Sequence, residues 1–260
     1  MSRYWGDLRF VEKGGGKGGR GANGREGWGY DALSYVWGQL QPVYPLLLST
    51  ATKVMKDGKP DTKDIAGRRG KINIPGNLYA VLQQLRQRRY SSFVWIDAIC
   101  INQEDDAEKS TQIAMMRTVY CEASSVLVWL GKASELEEGA LAIMPAITKI
   151  LQKTVDNRHE LDPDLPDTFN SVGLPEPSHG IWSALGSLMM KPWFRRLWTL
   201  QEVVLPEIVQ VLCGNRTTSW ETLETFVLVI KLCGLDDRTI SGRRGLVEDR
   251  LQGYTATLTI

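Results

Sequence analysis

Glu202 is the residue of this sequence best placed to do chemistry. It lies in the segment KPWFRRLWTLQEVVLP, residues 191–206, with apolar neighbours on both sides. Partial burial would raise the pKa of its carboxyl toward a value useful in acid/base catalysis, whereas an ion pair with Arg195 or Arg196 would lower it. A helix here would place Arg195, Trp198 and Glu202 on one face. A catalytic carboxylate and a simple salt bridge therefore both remain open.

A second group of candidates lies in YDALSYVWG, residues 30–38, where an apolar strand-like run ends. In doubly wound α/β sheets, ligands bind outside the carboxyl ends of the strands. Ser34, Tyr35, Trp37 and Gly38 come at this end, and we therefore take them as candidate binding residues. The structural alternative is that the two aromatics belong to the core and the glycine makes a turn.

A third group lies in WIDAICINQEDDAEK, residues 95–109, where Asp97 interrupts an apolar run. A carboxylate in such a run costs free energy unless it has a partner. Asp97, Asn102 and Gln103 are candidate binding residues, with Asn102 and Gln103 in the loop that follows. The alternative is that Asp97 only caps backbone amides.

The sequence offers few residues for a metal site, a serine hydrolase or a dinucleotide-binding loop. The only histidines, His159 and His179, lie in a stretch rich in Pro and Asp, and the four cysteines form no C-x-x-C pair. The sequence contains no G-x-S-x-G motif of a serine hydrolase. The G-x-G-x-x-G at residues 16–21 has neither a strand before it nor an amphipathic helix after it, which favours a linker. We expect no metal site and no tightly bound cofactor.

Charge and hydropathy exclude two kinds of partner. The 260 residues include 31 Lys and Arg against 30 Asp and Glu, a net charge of +1 that gives no global field for nucleic acid or anionic membranes. The apolar stretches are far shorter than the roughly 20 residues of a membrane span. The N-terminus carries charges where a secretory signal has its apolar segment, so we expect a cytoplasmic protein.

The elements that position these residues alternate between strand and helix. We predict strands at 32–36, 93–99, 125–130 and 208–212. Helical spacing of apolar residues occurs before the second strand, at 78–85, and before the third, at 113–120. Strands that are apolar almost throughout are typical of a sheet covered on both faces. The predicted fold is α/β, a flavodoxin-like three-layer sandwich with a mainly parallel central sheet.

The remaining segments define the expected domain organisation. Pro192 suits the first turn of a helix over 193–205. Within residues 135–190 we expect a helix that is broken near Pro145. Residues 49–75 resemble an exposed hairpin or loop. We predict a flexible Gly-rich tail at 1–27, a main domain at 28–214 with a helical and loop insertion at 135–190, and a C-terminal helical extension at 215–260.

The three segments together resemble the fungal heterokaryon-incompatibility (HET) domain. The matching motifs are YDALSYVWG, WIDAICINQEDDAEK, Met116 with Tyr120, SSVLVWLG and RLWTLQE, in that order over about residues 28–214. The resemblance implies a cytosolic cell-death effector domain of fungal non-self recognition that a protein partner of unknown identity activates.

A more distant resemblance suggests a reaction. DALSY is similar to the opening strand of Toll/interleukin-receptor (TIR) domains, and Trp198 with Glu202 is similar to their W-x-x-x-E helix. In the NAD-cleaving members of that group this glutamate is catalytic. The resemblance implies that Glu202 stabilises the ribosyl cation or holds a ribose hydroxyl, that Trp198 helps to wall the pocket, and that NAD is the substrate. Arg196, in the same segment, is a further candidate binding residue.

Two functions therefore remain open. One is a TIR-like NAD glycohydrolase that self-associates to complete its pocket. The other is a non-enzymatic adaptor that signals by homotypic or partner-domain assembly. Convergence of Ser34, Trp37, Asp97 and Glu202 around one cavity favours the enzyme, whereas their dispersal between core and surface favours the adaptor.

Overall fold

The computed structural model describes residues 9–10, 29–39, 42–49, 55–56, 59–60, 69–157, 159–196 and 199–235. The predicted tail at 1–27 lies outside these residues except for the strand Arg9–Phe10. The chain forms two compact units. The smaller contains Trp37–Ser91 with Met1–Arg9, and the larger contains Phe10–Val36 with Ser92–Ile260.

The strands follow the predicted pattern in part. They are β1 (Arg9–Phe10), β2 (Tyr30–Tyr35), β3 (Val43–Ser49), β4 (Met55–Lys56), β5 (Lys59–Pro60), β6 (Arg69–Pro75), β7 (Phe93–Trp95), β8 (Ser125–Trp129), β9 (Val209–Cys213) and β10 (Arg216–Ser219).

A mainly parallel sheet is the centre of the larger unit. Its strand order is β1-β7-β2-β8-β9-β10. The strands β7, β2, β8 and β9 run parallel, and β10 pairs antiparallel with β9. Ala32 lies opposite Trp95 on one side and Val126 on the other. Every residue of β8 is buried, and so are residues 31–35 of β2. The prediction of a mixed α/β fold with a mainly parallel central sheet is confirmed, and the arrangement is compatible with a three-layer sandwich.

The helices complete the two units. They are α1 (Gly76–Gln87), α2 (Asp97–Cys100), α3 (Asp106–Glu122), α4 (Glu135–Asp156), α5 (Pro166–Val172), α6 (Gly180–Met189), α7 (Thr199–Val204) and α8 (Trp220–Leu232), with a 3-10 turn at Pro192–Arg195. Within the described part of the chain, no helix has the length and apolar character needed to cross a membrane.

The core of the larger unit joins three of these helices to one face of the sheet. Met144 of α4, Leu185 of α6 and Phe226 of α8 are buried in one hydrophobic cluster with Val128 and Val211 of the sheet. Apolar residues three and four apart give each helix the face that this cluster buries.

The prediction of a helix break near Pro145 is wrong. Helix α4 runs without interruption through Pro145. Ser134 and Glu137 form a capping box at its start, and Met144 and Ile147 are buried on either side of the proline. Capping and burial together compensate for the backbone hydrogen bond that a proline cannot donate.

Two other predicted elements are shorter than expected. The strand predicted at 93–99 ends at Trp95, because α2 begins at Asp97, whose Oδ1 accepts a hydrogen bond from the Ala98 amide at 2.7 Å. The single helix predicted at 193–205 is a 3-10 turn, Pro192–Arg195, and the separate short helix α7. The side chains of Trp193 and Phe194 are buried within the turn, and their burial outweighs the helical spacing of the sequence.

The smaller unit is built around an antiparallel pair. Strand β3 pairs with β6 from Val43 opposite Pro75 to Ser49 opposite Arg69, and β4 pairs with β5. The segment 49–75, predicted as an exposed hairpin or loop, therefore ends in a seven-residue strand. Tyr44 stacks on Tyr79 of α1 with ring centroids 4.1 Å apart. Among the described residues of this unit, the buried ones are Leu46, Ile74, Leu78, Val81, Leu82 and Leu85.

Candidate functional site

Ser34 is a buried polar residue in the middle of the sheet. It lies on β2 opposite Val128 of β8, and 1% of its surface is exposed. A hydroxyl in such a position requires hydrogen-bond partners, because burial removes it from water. Two side chains from a distant part of the sequence supply them.

The first partner is Glu202 of α7. Ser34 Oγ donates a hydrogen bond to Glu202 Oε2, and 3% of Glu202 is exposed. Arg196 binds both carboxylate oxygens, with Nη2 3.2 Å from Oε1 and Nη1 3.3 Å from Oε2. The carboxylate is thus held by a hydroxyl and a two-pronged guanidinium, and the Arg196 side chain is 28% exposed.

The second partner is Trp193 of the 3-10 turn. Its Nε1–H donates a hydrogen bond to Ser34 Oγ at 2.7 Å. The indole is fully buried and packs edge-on against Phe194 and Trp220, with centroids 5.3 and 5.8 Å away. A continuous chain of hydrogen bonds therefore runs from the indole through the hydroxyl to the carboxylate.

Burial dominates the electrostatics of Glu202. Loss of solvent raises the pKa of its carboxyl, and the nearby charge of Asp97 raises it further. The charge of Arg196 and the hydrogen bond from Ser34 oppose this effect without cancelling it. Glu202 is therefore a carboxyl that accepts a proton more readily than an exposed glutamate.

Two tyrosines belong to the same electrostatic cluster. Burial raises the pKa of Tyr120 well above its ordinary value, and the charges of Glu202 and Asp97 add to the shift. Burial and then Asp97, by charge and by a hydrogen bond, raise the pKa of Tyr35 in the same direction. Both phenols are neutral near pH 7. The Tyr120 hydroxyl lies 3.4 Å from the carbonyl oxygen of Leu33.

The structure brings some of the predicted site residues together. Ser34, Arg196 and Glu202 are in direct contact, and Asp97 and Tyr35 are close enough for their interactions to change the cluster's pKa values. The paired arginine is Arg196, whereas Arg195 is exposed. Glu202 is thus both buried and paired with Arg196, and the choice between a catalytic carboxylate and a simple salt bridge stays open.

Gln103 and Asn102 act on the backbone of the loop. Gln103 Nε2 donates to the carbonyl oxygens of Asp97 and Ile101 at 3.1 and 3.3 Å. Asn102 is exposed, its amide donates to Glu108 Oε1, and its Oδ1 accepts from the Glu104 amide, both at 3.1 Å. Gln103 therefore supports the turn that carries Asp97, and Asn102 shapes the loop.

For three predicted binding residues, Trp37, Gly38 and Trp198, a role in this site stays a prediction. Trp37 and Gly38 belong to the smaller unit; Trp37 is 36% exposed, and Gly38 has a left-handed backbone with φ of 75°. Trp198 lies outside the described residues.

Sequence reasoning did not assign Trp193 or Tyr120 to the site. Trp193 stands in the same segment as Glu202, and a buried indole needs a partner for its N–H. Its partner is 159 residues away in the sequence, so no local pattern identifies it. Tyr120 follows the apolar spacing of α3 and for that reason resembles an ordinary core residue.

The cluster is suited to acid/base chemistry and to stabilising positive charge. It combines two carboxylates, Glu202 and Asp97, with the guanidinium of Arg196, and the burial of Glu202 strengthens the electrostatic interactions of that carboxylate.

Comparison with known proteins gives one family. Residues 30–202, more than half of the chain, match the family model described as heterokaryon incompatibility protein (HET). The chain is also similar to Heterokaryon incompatibility protein 6, OR allele, of Neurospora crassa, with 28% identity over 248 residues. That alignment covers 84% of this chain and 33% of the relative, so the chain spans about a third of the relative's length. No solved structure matches the chain.

Proposed function

Because this chain belongs to the heterokaryon incompatibility (HET) family, we propose that it is a cell-death effector domain of fungal non-self recognition that acts by cleaving NAD. The observation that carries the proposal is the buried Glu202 carboxylate, hydrogen-bonded to Ser34 at the first strand of the sheet. Location in the cytoplasm, self-association and an activating protein partner belong to the same proposal.

The strand order supports a flavodoxin-like or TIR-like fold. Numbered along the chain, β2, β7, β8 and β9 are the first to fourth parallel strands, and they lie in the order 2-1-3-4. Flavodoxin-like sheets begin with this order, and they bind ligands where the direction of winding changes, between the first and third strands. Ser34 on the first strand lies opposite Val128 on the third, so the carboxylate that it holds is next to this position.

The proposed reaction uses the carboxylate to stabilise a cation. The bond between ribose C1′ and the nicotinamide nitrogen breaks with its electron pair going to nicotinamide, and water then adds hydroxide to C1′ and releases a proton. Positive charge develops on the ribose in the transition state, as in glycoside hydrolysis. Glu202 is placed to stabilise that charge or to accept a hydrogen bond from a ribose hydroxyl, while NAD is a substrate and not a resident cofactor.

Glu202→Gln tests the enzymatic proposal. Purified protein at high concentration is incubated with NAD, and released nicotinamide is quantified. We expect the wild type to release nicotinamide and the variant to be at least about 100-fold slower, because the neutral amide provides no negative charge to the transition state. Glu224→Gln on α8, which changes another partly buried glutamate, is the matched control and should retain the wild-type rate. Equal rates for wild type and Glu202→Gln would contradict the proposal.

An adaptor without enzymatic activity is the second candidate. It is favoured by the same geometry, because Arg196 and Ser34 already occupy both oxygens of Glu202, as in a structural ion pair. In that case cell death on overexpression would occur with an intact NAD pool. Glu202→Gln would then kill as well as the wild type, provided that it folds.

A further inference from the structure

We propose that Trp193 is a positioning residue for Glu202 and acts through the hydroxyl of Ser34. The indole N–H fixes the direction in which Ser34 donates its proton, and Ser34 in turn holds one carboxylate oxygen in place. The catalytic importance of this arrangement rests on the proposed function, whereas the positioning itself can be measured without any enzymatic activity.

The chemistry of the indole gives the chain a direction. An indole nitrogen is only a donor, whereas a serine hydroxyl both donates one hydrogen bond and accepts others. With Trp193 Nε1 2.7 Å from Ser34 Oγ, the serine oxygen must be the acceptor in that contact. The hydroxyl proton is then free to point at Glu202 Oε2, the carboxylate oxygen in contact with Ser34 Oγ. Donors in series polarise one another, so the indole strengthens the bond between the hydroxyl and the carboxylate.

Packing fixes the indole in this direction. Trp193 is fully buried and lies edge-on between Phe194 and Trp220, the first residue of α8. Arg196 directly follows the 3-10 turn, and its amide donates to the Trp193 carbonyl oxygen at 3.2 Å. One short turn therefore brings the indole to the Ser34 hydroxyl and is followed directly by the guanidinium that binds Glu202.

Trp193→Phe removes the indole N–H and keeps an aromatic ring in the core. Among the described residues, the charged and titratable groups that interact with Glu202 are Arg196, Asp97 and Tyr120, and the substitution leaves all three in place. Because the Ser34 bond to the ionised carboxylate weakens, we expect the pKa of Glu202 to rise by about 0.5. The measurement is a pH titration of the side-chain carboxyl carbons of labelled glutamate by NMR, with the Glu202 signal assigned as the one missing from Glu202→Gln.

Trp182→Phe is the matched control. Trp182 is also fully buried, and its Nε1–H donates to the carbonyl oxygens of Pro175 and Glu176 at 3.2 and 3.0 Å. Its replacement removes an equivalent indole hydrogen bond elsewhere in the core. We expect a comparable loss of stability with no change in the pKa of Glu202.

Ser34→Ala shows whether the effect passes through the hydroxyl. In the Ser34→Ala background, adding Trp193→Phe should leave the pKa of Glu202 where Ser34→Ala alone puts it. A second measurement uses the wild-type protein and does not require that a tryptophan variant folds. In the wild type, we expect the NMR signal of one indole Nε1–H to shift with pH as Glu202 titrates. In Ser34→Ala, this shift should be lost.

The outcomes separate positioning from packing. An unchanged Glu202 pKa in Trp193→Phe, or an equal shift in Trp182→Phe, would overturn the proposal and leave Trp193 as a core residue. The proposal would also be overturned if none of the indole signals of the wild type shifted with pH as Glu202 titrates. The expected shifts without any NAD cleavage would support the positioning role and contradict only the proposed function.

Discussion

Glu202 holds its proton more tightly in the folded protein than an ordinary glutamate does, because burial raises the pKa of its carboxyl. Such a group contributes most to stability below its unfolded-state pKa, and that contribution is lost as the pH rises through the folded-state pKa. We therefore expect the free energy of unfolding of the wild type, relative to Glu202→Gln, to decrease as the pH rises above the ordinary pKa of glutamate.

Urea unfolding of both proteins at several pH values measures this difference. The side-chain amide of the Glu202→Gln variant is neutral and does not titrate, so groups elsewhere in the protein cancel in the comparison. A difference that grows with pH would mean that Arg196 and Ser34 lower the pKa of Glu202 by more than burial raises it.

The sequence predicts some of these residues and misses others for a physical reason. Glu202 and Ser34 stand out locally, the first as a carboxylate among apolar residues and the second at the end of an apolar strand. Trp193 and Tyr120 take part through contacts across the fold, with Ser34 and Leu33 respectively. In the sequence, such residues cannot be distinguished from ordinary core residues, because aromatic side chains are common in any core.

At the scale of elements, the turn between β9 and β10 depends on Gly214. Its backbone has φ of 52°, a left-handed conformation that L-residues rarely adopt, and an added Cβ would lie 2.8 Å from Cβ of Ala133 and against Oε1 of Glu138. Glu138 Oε1 also accepts a hydrogen bond from the Asn215 amide at 2.7 Å. We expect Gly214→Ala to lower the free energy of unfolding by about 3 kcal/mol through strain and crowding.

Gly173→Ala is the control for this prediction. Gly173 ends α5 with φ of 81°, and nothing lies within 4 Å of an added Cβ. Only the strain of an alanine with positive φ remains there, so Gly173→Ala should lower the free energy of unfolding by about 1 kcal/mol. Equal losses for the two variants in urea unfolding would show that crowding at Gly214 has no consequence.

Elements with strong apolar patterns are predicted well, and their ends less so. Strands β2, β8 and β9 lie within one or two residues of their predicted positions. Strand β7 is cut short because Asp97 begins α2, and α4 continues through Pro145 because its capping box and buried face hold it. In both places a hydrogen bond at the start of the helix or packing within the core decides the outcome, against what the apolar run at 93–99 or the proline alone predicts.

At the scale of the whole molecule, the chain divides into two compact units, and the smaller one has apolar residues of its own. Leu82 of α1 is fully buried there. We expect Leu82→Ala to destabilise this unit by about 2–5 kcal/mol. Native-state hydrogen exchange should show faster exchange in β3, β6 and α1.

Gln87→Ala, an exposed change at the end of the same helix, is the control and should leave those exchange rates unchanged. Exchange in β3 and β6 that is unaffected by Leu82→Ala would contradict a shared core for these elements.

The mainly parallel α/β fold follows from the sequence because strands that are apolar on both faces alternate with amphipathic helices. The separation of Trp37–Ser91 as its own unit does not follow. Its strand β3 contains Pro45, and a proline within an apolar run argues against a strand unless the strand is at an edge.

The pairing of Arg196 with Glu202 has a consequence for any ligand of this domain. Because the guanidinium is tethered to the same chain, it competes for the carboxylate at a high effective concentration. A small cation that offers only its charge cannot displace such a competitor at modest concentration. A successful ligand must gain affinity from contacts elsewhere or bring an anionic group that gives Arg196 a new counter-ion.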